Sequence, residues 1–387
     1  MKKIFAGAIA LALAAAVPGS AQSLDELNIQ IHGYATQGFL YTTNNNILTT
    51  SSSDGSPQWT EAVVNVSAQP IPKLRFGLQG RYELLGNYQN GFTLDWAQGD
   101  YKVNDRFGAR FGKVKVPSGL LNDIQDIDPS YLWGLLPQSI YPLPNRNFIL
   151  TVYGGVVYGT IKLPATLGKL EYRGWGGESQ LASNDGYFTA YTEAGIAVPN
   201  GISDTRIGEA LHWQTPLRGL MVGASNTTAN QESALITAAN GALKGTLSVA
   251  RSNEPGYFAR YEKDKLMVAV EYQRNNPSVL FQFAGPAAPQ TRLDFRSEYG
   301  MASYKVTDKL TGGVYYSQEF DHQAALGPAR YQKDWDIAGR YDFNQYVYAK
   351  AEEHFIEGTL NNYDANLNPG GLKPNSKLTV LKIGVRF

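Results

Sequence analysis

The C-terminal end of the chain alternates apolar and polar residues with a period of two. The row that ends on the last residue is mostly apolar and holds Thr379, Leu381, Ile383, Val385 and Phe387. The other row is polar or tiny and holds Lys382, Gly384 and Arg386. This period predicts a β-strand, and a terminal aromatic residue is typical of the closing strand of a transmembrane β-barrel. A half-buried strand of a soluble protein would show the same period.

Several internal segments repeat this alternation. In LRFGLQGRYE, Arg75 and Arg81 lie on the face opposite Leu74 and Phe76, and RFGARFG places Arg110 opposite Phe107. The segment 292–299 sets Arg292 and Arg296 against apolar neighbours, and Arg340 belongs to another polar row. A soluble β-sandwich would give the same pattern strand by strand. The strand length of about ten residues and the one-sided short turns favour a barrel with a polar interior.

Turn residues set the strand count. Short segments with Pro, Gly, Asn or Asp join consecutive strands into seven hairpins; they are residues 69–73, 103–106, 164–169, 215–219, 262–265, 306–309 and 342–345. With a first strand at about 28–41 and a last at 377–387, the sequence predicts about sixteen strands, an even number that suits an antiparallel barrel. The longer polar segments then fall on the opposite, extracellular side, and two of their pieces, 187–197 and 245–251, are predicted to extend strands.

The N-terminus predicts export. Lys2 and Lys3 precede an apolar run over 4–17 and small residues that allow cleavage after Ala21, which together describe a signal peptide at 1–21. Residues 22–387 would then form one barrel domain. The chain has 34 basic and 34 acidic residues, so it has no excess of positive charge that would indicate binding to nucleic acid. It has no cysteine, which excludes disulfides and thiolate metal sites.

The third long loop, 113–151, is the predicted functional element. It combines a run of large apolar residues with Asp123, Asp126 and Asp128. Exposed in water, that apolar surface would be unfavourable, so we expect the loop to fold into the lumen and narrow it. The alternative is that it caps the barrel rim or meets a neighbouring subunit. In the lumen, the three aspartates would oppose arginines of the wall and create a transverse field. The predicted pore residues are Asp123, Asp126, Asp128, Arg75, Arg81, Arg110, Arg292, Arg296 and Arg340.

The closing aromatic strand, the strand count and the long loop after strand five resemble the bacterial general and substrate-selective porins. The segment GKVKVPSGLL is similar to the start of that loop in relatives of the phosphate-selective porin O and P group. This resemblance implies a trimeric, water-filled channel surrounded by outer-membrane lipids and lipopolysaccharide. The chain lacks the Pro-Glu-Phe-Gly motif that is common in the third loop of general porins. Its three loop aspartates also differ from a purely cationic phosphate pathway. The choice between anion and cation selectivity therefore stays open.

Motifs for enzymatic chemistry are missing. The sequence has no Gly-x-Ser-x-Gly elbow, no phosphate loop and no His-Glu-x-x-His, and its four histidines are not at metal-ligand spacing from one another. Asp334 and Asp336 share a strand face that could suit a cation, although a solvated lumen face is the favoured interpretation. We therefore predict no catalytic residue, cofactor or metal, and a passive channel for small hydrophilic solutes or ions. The alternatives are a lipase-like or protease-like barrel enzyme and a substrate-specific or hydrophobic-solute transporter.

Overall fold

The computed structural model describes residues 27–164, 166–283, 290–361, 363 and 366–387. The predicted signal peptide lies outside the described residues. Sixteen strands form one sheet: β1 (Gln30–Thr42), β2 (Ser56–Ile71), β3 (Leu74–Leu85), β4 (Gln89–Asn104), β5 (Phe107–Lys115), β6 (Thr151–Lys162), β7 (Lys169–Leu181), β8 (Ile202–Gln214), β9 (Leu220–Ala229), β12 (Ser252–Lys263), β13 (Leu266–Asn275), β16 (Phe295–Lys305), β17 (Leu310–Asp321), β18 (Tyr331–Asp342), β19 (Val347–Gly358) and β20 (Asn375–Arg386).

Smaller elements lie between these strands. A second sheet contains β10 (Glu232–Ala238), β11 (Leu243–Val249), β14 (Ser278–Phe283) and β15 (Thr291–Arg292). Short helices are α1 (Arg146–Leu150) and α2 (Thr189–Glu193), with 3-10 turns at Ser52–Asp54, Asp128–Ser130, Leu143–Asn145, Gly186–Phe188 and Pro328–Arg330. No helix in the described part of the chain has the length and apolar character needed to cross a membrane.

The large sheet closes into an antiparallel barrel. The closing ladder between β1 and β20 runs from Tyr34 opposite Arg386 to Thr42 opposite Leu378. Consecutive barrel strands are neighbours all round, joined at one end by the seven short turns that the sequence predicts. The predicted sixteen-stranded antiparallel barrel is confirmed. Closure pairs the backbone groups of every edge, which is the condition for a sheet in contact with lipid.

Side chains alternate between the outside of the barrel and its lumen. On β20, Leu381, Ile383 and Val385 are about half exposed on the outer surface, whereas Lys382 is only 4% exposed. On β13, Val270 points outward and Glu271 inward. The polar and apolar rows predicted for these two strands are confirmed. The polar rows therefore line the lumen, and the apolar rows form the outer surface.

Two arginines predicted to face the lumen, Arg292 and Arg296, lie elsewhere in the structure. Arg292 belongs to β15, which pairs with β14 in the second sheet, and so it is not on the barrel wall. Strand β16 begins only at Phe295, with Ser297 and Tyr299 buried and Arg296 exposed on the outer face. The segment 292–299 is therefore not one strand. On β16 the charged residues Arg296 and Glu298 share the exposed row, so assigning the charged row to the lumen gives the wrong side.

The predicted strand extension at 187–197 is also wrong. This segment forms the turn Gly186–Phe188 and helix α2, whose aromatic side chains pack in an apolar cluster with β10, β11 and β14. The other predicted extension, 245–251, does contain a strand, β11, but it belongs to the second sheet. Both outcomes have one cause, because packing between neighbouring loops overrides local alternation.

Candidate functional site: the third loop inside the barrel

The third loop, residues 116–150, contacts lumen-facing side chains on opposite sides of the barrel. On one side, Gly134 and Leu135 donate backbone N–H groups to Glu352 of β19, and Asp126 accepts a hydrogen bond of 2.9 Å from Gln79 of β3. On the other, Tyr141 Oη donates to Glu271 of β13 at 2.7 Å. These contacts place the loop across the interior. We call the wall of β18–β20 and β1–β5 the anchored side, and the wall of β8, β9, β12, β13, β16 and β17 the open side.

The apolar residues of the loop are buried against the wall. Leu121, Leu132 and Trp133 belong to one cluster, together with Met301 of β16 and Tyr315 of β17. Trp133 and Tyr315 are only 2% and 1% exposed, respectively. Burial of such side chains contributes about 1.5–3 kcal/mol each. The surface that would be unfavourable in water thus becomes a packed core inside the barrel.

Asp128 is the most strongly held aspartate of the loop. Its carboxylate lies 2.6 Å from Lys382 Nζ and 3.1 Å from Lys350 Nζ, and it accepts a hydrogen bond of 2.6 Å from Tyr348 Oη. Burial alone would raise the pKa of Asp128, but the two lysines and these hydrogen bonds outweigh it and hold the pKa well below its usual range. Asp128 therefore stays ionised as the partner of two buried lysines.

Asp126 is fully buried beside the first strands. Its carboxylate lies 2.7 Å from Lys115 Nζ and accepts hydrogen bonds from Gln79 Nε2 at 2.9 Å and Trp96 Nε1 at 3.2 Å. Asp123 is less buried and pairs with Arg173 of β7. Each of the three aspartates therefore has a cationic partner.

Those partners differ from the predicted ones. Arg75 instead donates to Ser67 Oγ at 2.9 Å, and Arg110 pairs with Asp100 at 3.0 Å. Arg81 pairs with Asp95 at 3.2 Å and with Glu83. The predicted opposition of Arg75, Arg81 and Arg110 to the aspartates is therefore wrong. The ion pairs of Arg81 and Arg110 are with carboxylates of the barrel wall, and Arg81 contacts the loop at Asn147 Oδ1, at 3.1 Å, rather than at an aspartate.

Arg340 does contact the loop, but through the backbone. Its guanidinium donates to the carbonyl oxygens of Pro129 at 2.7 Å and Tyr131 at 2.9 Å, and pairs with Asp342. Arg146, which is not among the predicted pore residues, donates two hydrogen bonds of 2.9 Å to Asp95. Neither arginine has a free guanidinium in the lumen, so both mainly fix the path of the loop.

One turn of the loop needs glycine at its contact with the open side. Gly119 has φ +69°, and a Cβ there would lie 2.5 Å from Glu271 Oε1 and 2.9 Å from Tyr141 Oη. Its N–H donates to Ser225 Oγ at 3.1 Å, and the next N–H, of Leu120, donates to Glu271 at 3.0 Å. The loop backbone can therefore approach Glu271 closely only without a side chain at this position.

Beyond these contacts, a cavity of about 480 Å³ lies between the loop and the open side. Its charged lining residues are five carboxylates and one arginine, namely Asp204, Glu232, Glu254, Glu271, Glu319 and Arg206. Arg206 is paired with Asp204 at 2.8 Å. Within the described residues, no ion pair involves the four glutamates. The signal for Glu271 was present in the sequence, since it lies on the inward row of β13, but the sequence could not show which inward acids face open space.

Glu232 sits at the outer end of this cavity, on β10 beyond the barrel wall. It is 9% exposed, and its Oε2 has no hydrogen-bond partner among the described residues. Burial raises the pKa of Glu232 to about 7, with the Asp204 carboxylate adding to the rise and Arg206 opposing it. Its charge therefore changes near neutral pH.

Solved structures of outer-membrane proteins share this fold. Salmonella typhi OmpF, solved in complex with daunomycin, is 14% identical over 94% of this chain and 98% of its own, with a TM-score of 0.59. An anion-selective porin from Comamonas acidovorans is 10% identical over 93% and 99%, with a TM-score of 0.57. A trimer form of Vibrio cholerae OmpT, an outer membrane protein, is 12% identical over 93% and 99%, with a TM-score of 0.51.

No protein-family model matches the chain, and no curated protein matches it. The structural likenesses nevertheless extend over more than nine tenths of the chain. The chain therefore has the fold of the sixteen-stranded outer-membrane porins.

Proposed function

We propose that the protein is a passive diffusion channel of the bacterial outer membrane for small hydrophilic solutes, with a preference for cations. The observation that carries this proposal is the acidic cavity between the third loop and the open side. Export with cleavage after Ala21, and a barrel domain of residues 22–387 set among lipids and lipopolysaccharide, belong to the same proposal.

The sign of the preference follows from which charges are paired. Asp126 and Asp128 are neutralised by lysines, so they contribute little net field. Glu254 and Glu319 line the cavity without a cationic partner among the described residues. In a narrow, low-dielectric passage, unpaired carboxylates attract cations and repel anions. The wall glutamates, rather than the loop aspartates, would therefore set the selectivity.

The proposal involves no catalytic turnover. A barrel enzyme acting on lipid would need its histidine on the outer face. His212 and His354 are buried on inward rows, His32 shares the inward row of β1, and His322 follows the end of β17. None of the four thus lies on an outward row, which supports a channel over a lipase-like barrel.

Planar-bilayer recording tests the channel directly. Purified protein should give step-like, open conductance in neutral salt, and a salt gradient should give a reversal potential of cationic sign. A reversal potential of anionic sign would contradict the selectivity and leave the channel intact. The absence of conductance in a preparation that shows the mobility shift of a folded barrel on heating would contradict the channel itself.

A homotrimer is the assembly that we propose. A shallow apolar groove on the outer surface includes the small residues Gly339, Ala349 and Ala351, with Leu381 and Ile383 beside them. This surface includes residues of the first and last strands. Gly33, also on the first strand, offers no close approach to a neighbouring subunit, because the ring of Phe387 covers that glycine.

A substitution in the groove tests the trimer. Ala351→Trp should convert trimer to monomer in native mass measurements because the indole would fill the groove. Val270→Trp places the same side chain on the outer face of β13, outside the groove, and should leave the trimer intact. A wild-type monomer would refute the assembly without affecting the channel proposal.

A further inference from the structure

Three buried side chains on the anchored side form a cluster with metal-ligand geometry. Asp336 of β18 lies directly opposite His354 of β19 in the ladder, and Glu352 precedes His354 by two positions on the same inward row. One potential ligand atom from each lies within 4.8 Å of the others. The sequence spacing hid this cluster because its members come from two neighbouring strands.

The cluster contains a buried carboxyl group that has no hydrogen-bond donor and no lysine or arginine partner among the described residues. Asp336 is fully buried, and neither of its carboxylate oxygens has a hydrogen-bond donor among the described residues. The nearest charged group recorded for it is His354, whose Nε2 lies 3.7 Å from Oδ1. Within the described part of the chain, no lysine or arginine pairs with Asp334, Asp336 or Glu352. Burying an unpaired carboxylate is unfavourable, so the arrangement calls for a cation.

His354 is oriented to bind one. Its Nδ1 lies 2.9 Å from Asp334 Oδ2, which also accepts a hydrogen bond of 3.2 Å from Tyr315 Oη. A proton on Nδ1 satisfies Asp334 and leaves the Nε2 lone pair directed at Glu352 Oε2, 3.4 Å away, and at Asp336. A carboxylate that fixes the tautomer of a histidine in this way is the usual support of a histidine metal ligand.

We propose that Asp336, Glu352 and His354 bind one divalent transition-metal ion of the zinc class. One imidazole nitrogen and two carboxylate oxygens suit Zn²⁺, whereas Ca²⁺ and Mg²⁺ favour six or more oxygen ligands. Because Glu352 also accepts the N–H groups of Gly134 and Leu135, the ion would fasten the third loop to the anchored side. This role is separate from solute passage and does not depend on it.

Metal content is the test. Full-length protein is extracted from membranes in detergent, unfolded in the presence of EDTA and refolded with or without ZnCl2. Unbound ion is then removed, and elemental mass spectrometry measures the zinc content per chain. Wild type should retain one zinc ion per chain, and the zinc-loaded form should unfold at a higher temperature. Asp336→Asn should abolish retention. Asp334→Asn keeps all three ligands and should weaken zinc binding by roughly 10- to 100-fold, as loss of a supporting carboxylate does.

Glu353→Gln is the matched control. It removes a carboxylate from the same strand, on the opposite row, where Glu353 accepts a hydrogen bond from Thr379. Zinc retention in this variant should equal that of wild type. In metal-free protein, Asp336→Asn should raise the unfolding temperature, because it removes a buried carboxyl group that has no hydrogen-bond donors. The sign of its effect should therefore reverse when zinc is present.

Two results would overturn the proposal. The first is that wild type retains no zinc and has the same unfolding temperature in zinc and in EDTA, which would mean that protons balance the cluster. The second is that zinc retention survives both Asp336→Asn and Asp334→Asn, which would place the ion elsewhere. If Asp336→Asn does not fold, the Asp334→Asn and Glu353→Gln pair still decides between these outcomes.

Discussion

The two sides of the lumen use charge in opposite ways. On the anchored side, Asp128 is buried between two lysines, and Asp126 is buried beside Lys115. On the open side, Glu254 and Glu319 face a cavity without cationic partners among the described residues. Paired buried charges fix the position of a segment but project little field, whereas unpaired charges at a water-filled surface act on passing ions. Substitutions on the two sides should therefore have different consequences.

The largest expected effect is on the anchored side. Asp128→Asn leaves Lys350 and Lys382 buried without their shared counterion, and the loss of one partner of a buried ion pair costs about 3–5 kcal/mol. The temperature at which the folded, fast-migrating band converts to the unfolded band should fall clearly. Asp123→Asn, whose carboxylate is partly exposed, is the control, and it should cost about 0–1 kcal/mol. Equal effects of the two variants would contradict the comparison.

A smaller effect is expected where the loop touches the open side. Gly119→Ala adds a Cβ that meets Glu271 and Tyr141 at a positive φ, at a cost of roughly 1–2 kcal/mol. The loop should shift relative to the cavity, so single-channel conductance should change while the barrel still forms. Gly370→Ala places the same change where a Cβ would have no neighbour within 4 Å, and its conductance should match wild type. Unchanged conductance in Gly119→Ala would show that this contact does not shape the passage.

Selectivity should respond on the open side. The double substitution Glu254→Gln and Glu319→Gln removes two unpaired charges from the cavity, and the ratio of cation to anion permeability should fall roughly two- to fivefold, as expected for charges several ångströms from a passing ion. Reversal potentials in a salt gradient measure this ratio. Asp123→Asn is again the control and should move the ratio less, because Asp123 is paired with Arg173. A larger shift of the permeability ratio in Asp123→Asn than in the double variant would indicate that the loop aspartates set the selectivity.

The smallest effect is a pH dependence near neutrality. Because its pKa is raised to about 7, Glu232 is charged above that pH and neutral below it. The cation preference of wild type should therefore decrease as the pH falls from 8 to 6. Reversal potentials at both pH values measure the change, and Glu232→Gln should lose this part of it. An identical pH response in Glu232→Gln would assign the titration to another group.

Strands β20 and β16 show how far the orientation of side chains can be predicted from the sequence. On β20, an unbroken run of alternating residues predicts both the strand and the row that faces the lumen, and Lys382 is found there. On β16, the charged residues Arg296 and Glu298 lie on the exposed row, whereas Ser297 and Tyr299 are buried. A period of two therefore predicts that the two rows lie on opposite faces, but it does not decide which row faces the lumen.

The sequence by itself determined the barrel, because turn residues and a period of two are local properties that survive without knowledge of neighbours. Only the tertiary structure decided how the charges pair. Asp128 and Lys382 are 254 positions apart, and Asp336 meets His354 across a strand pair. Such pairings depend on the path of one loop through the lumen, which is set by packing of Trp133 and its neighbours against the wall rather than by any local pattern. The charge distribution in the passage therefore depends on long-range contacts that the alternation of residues along the chain does not reveal.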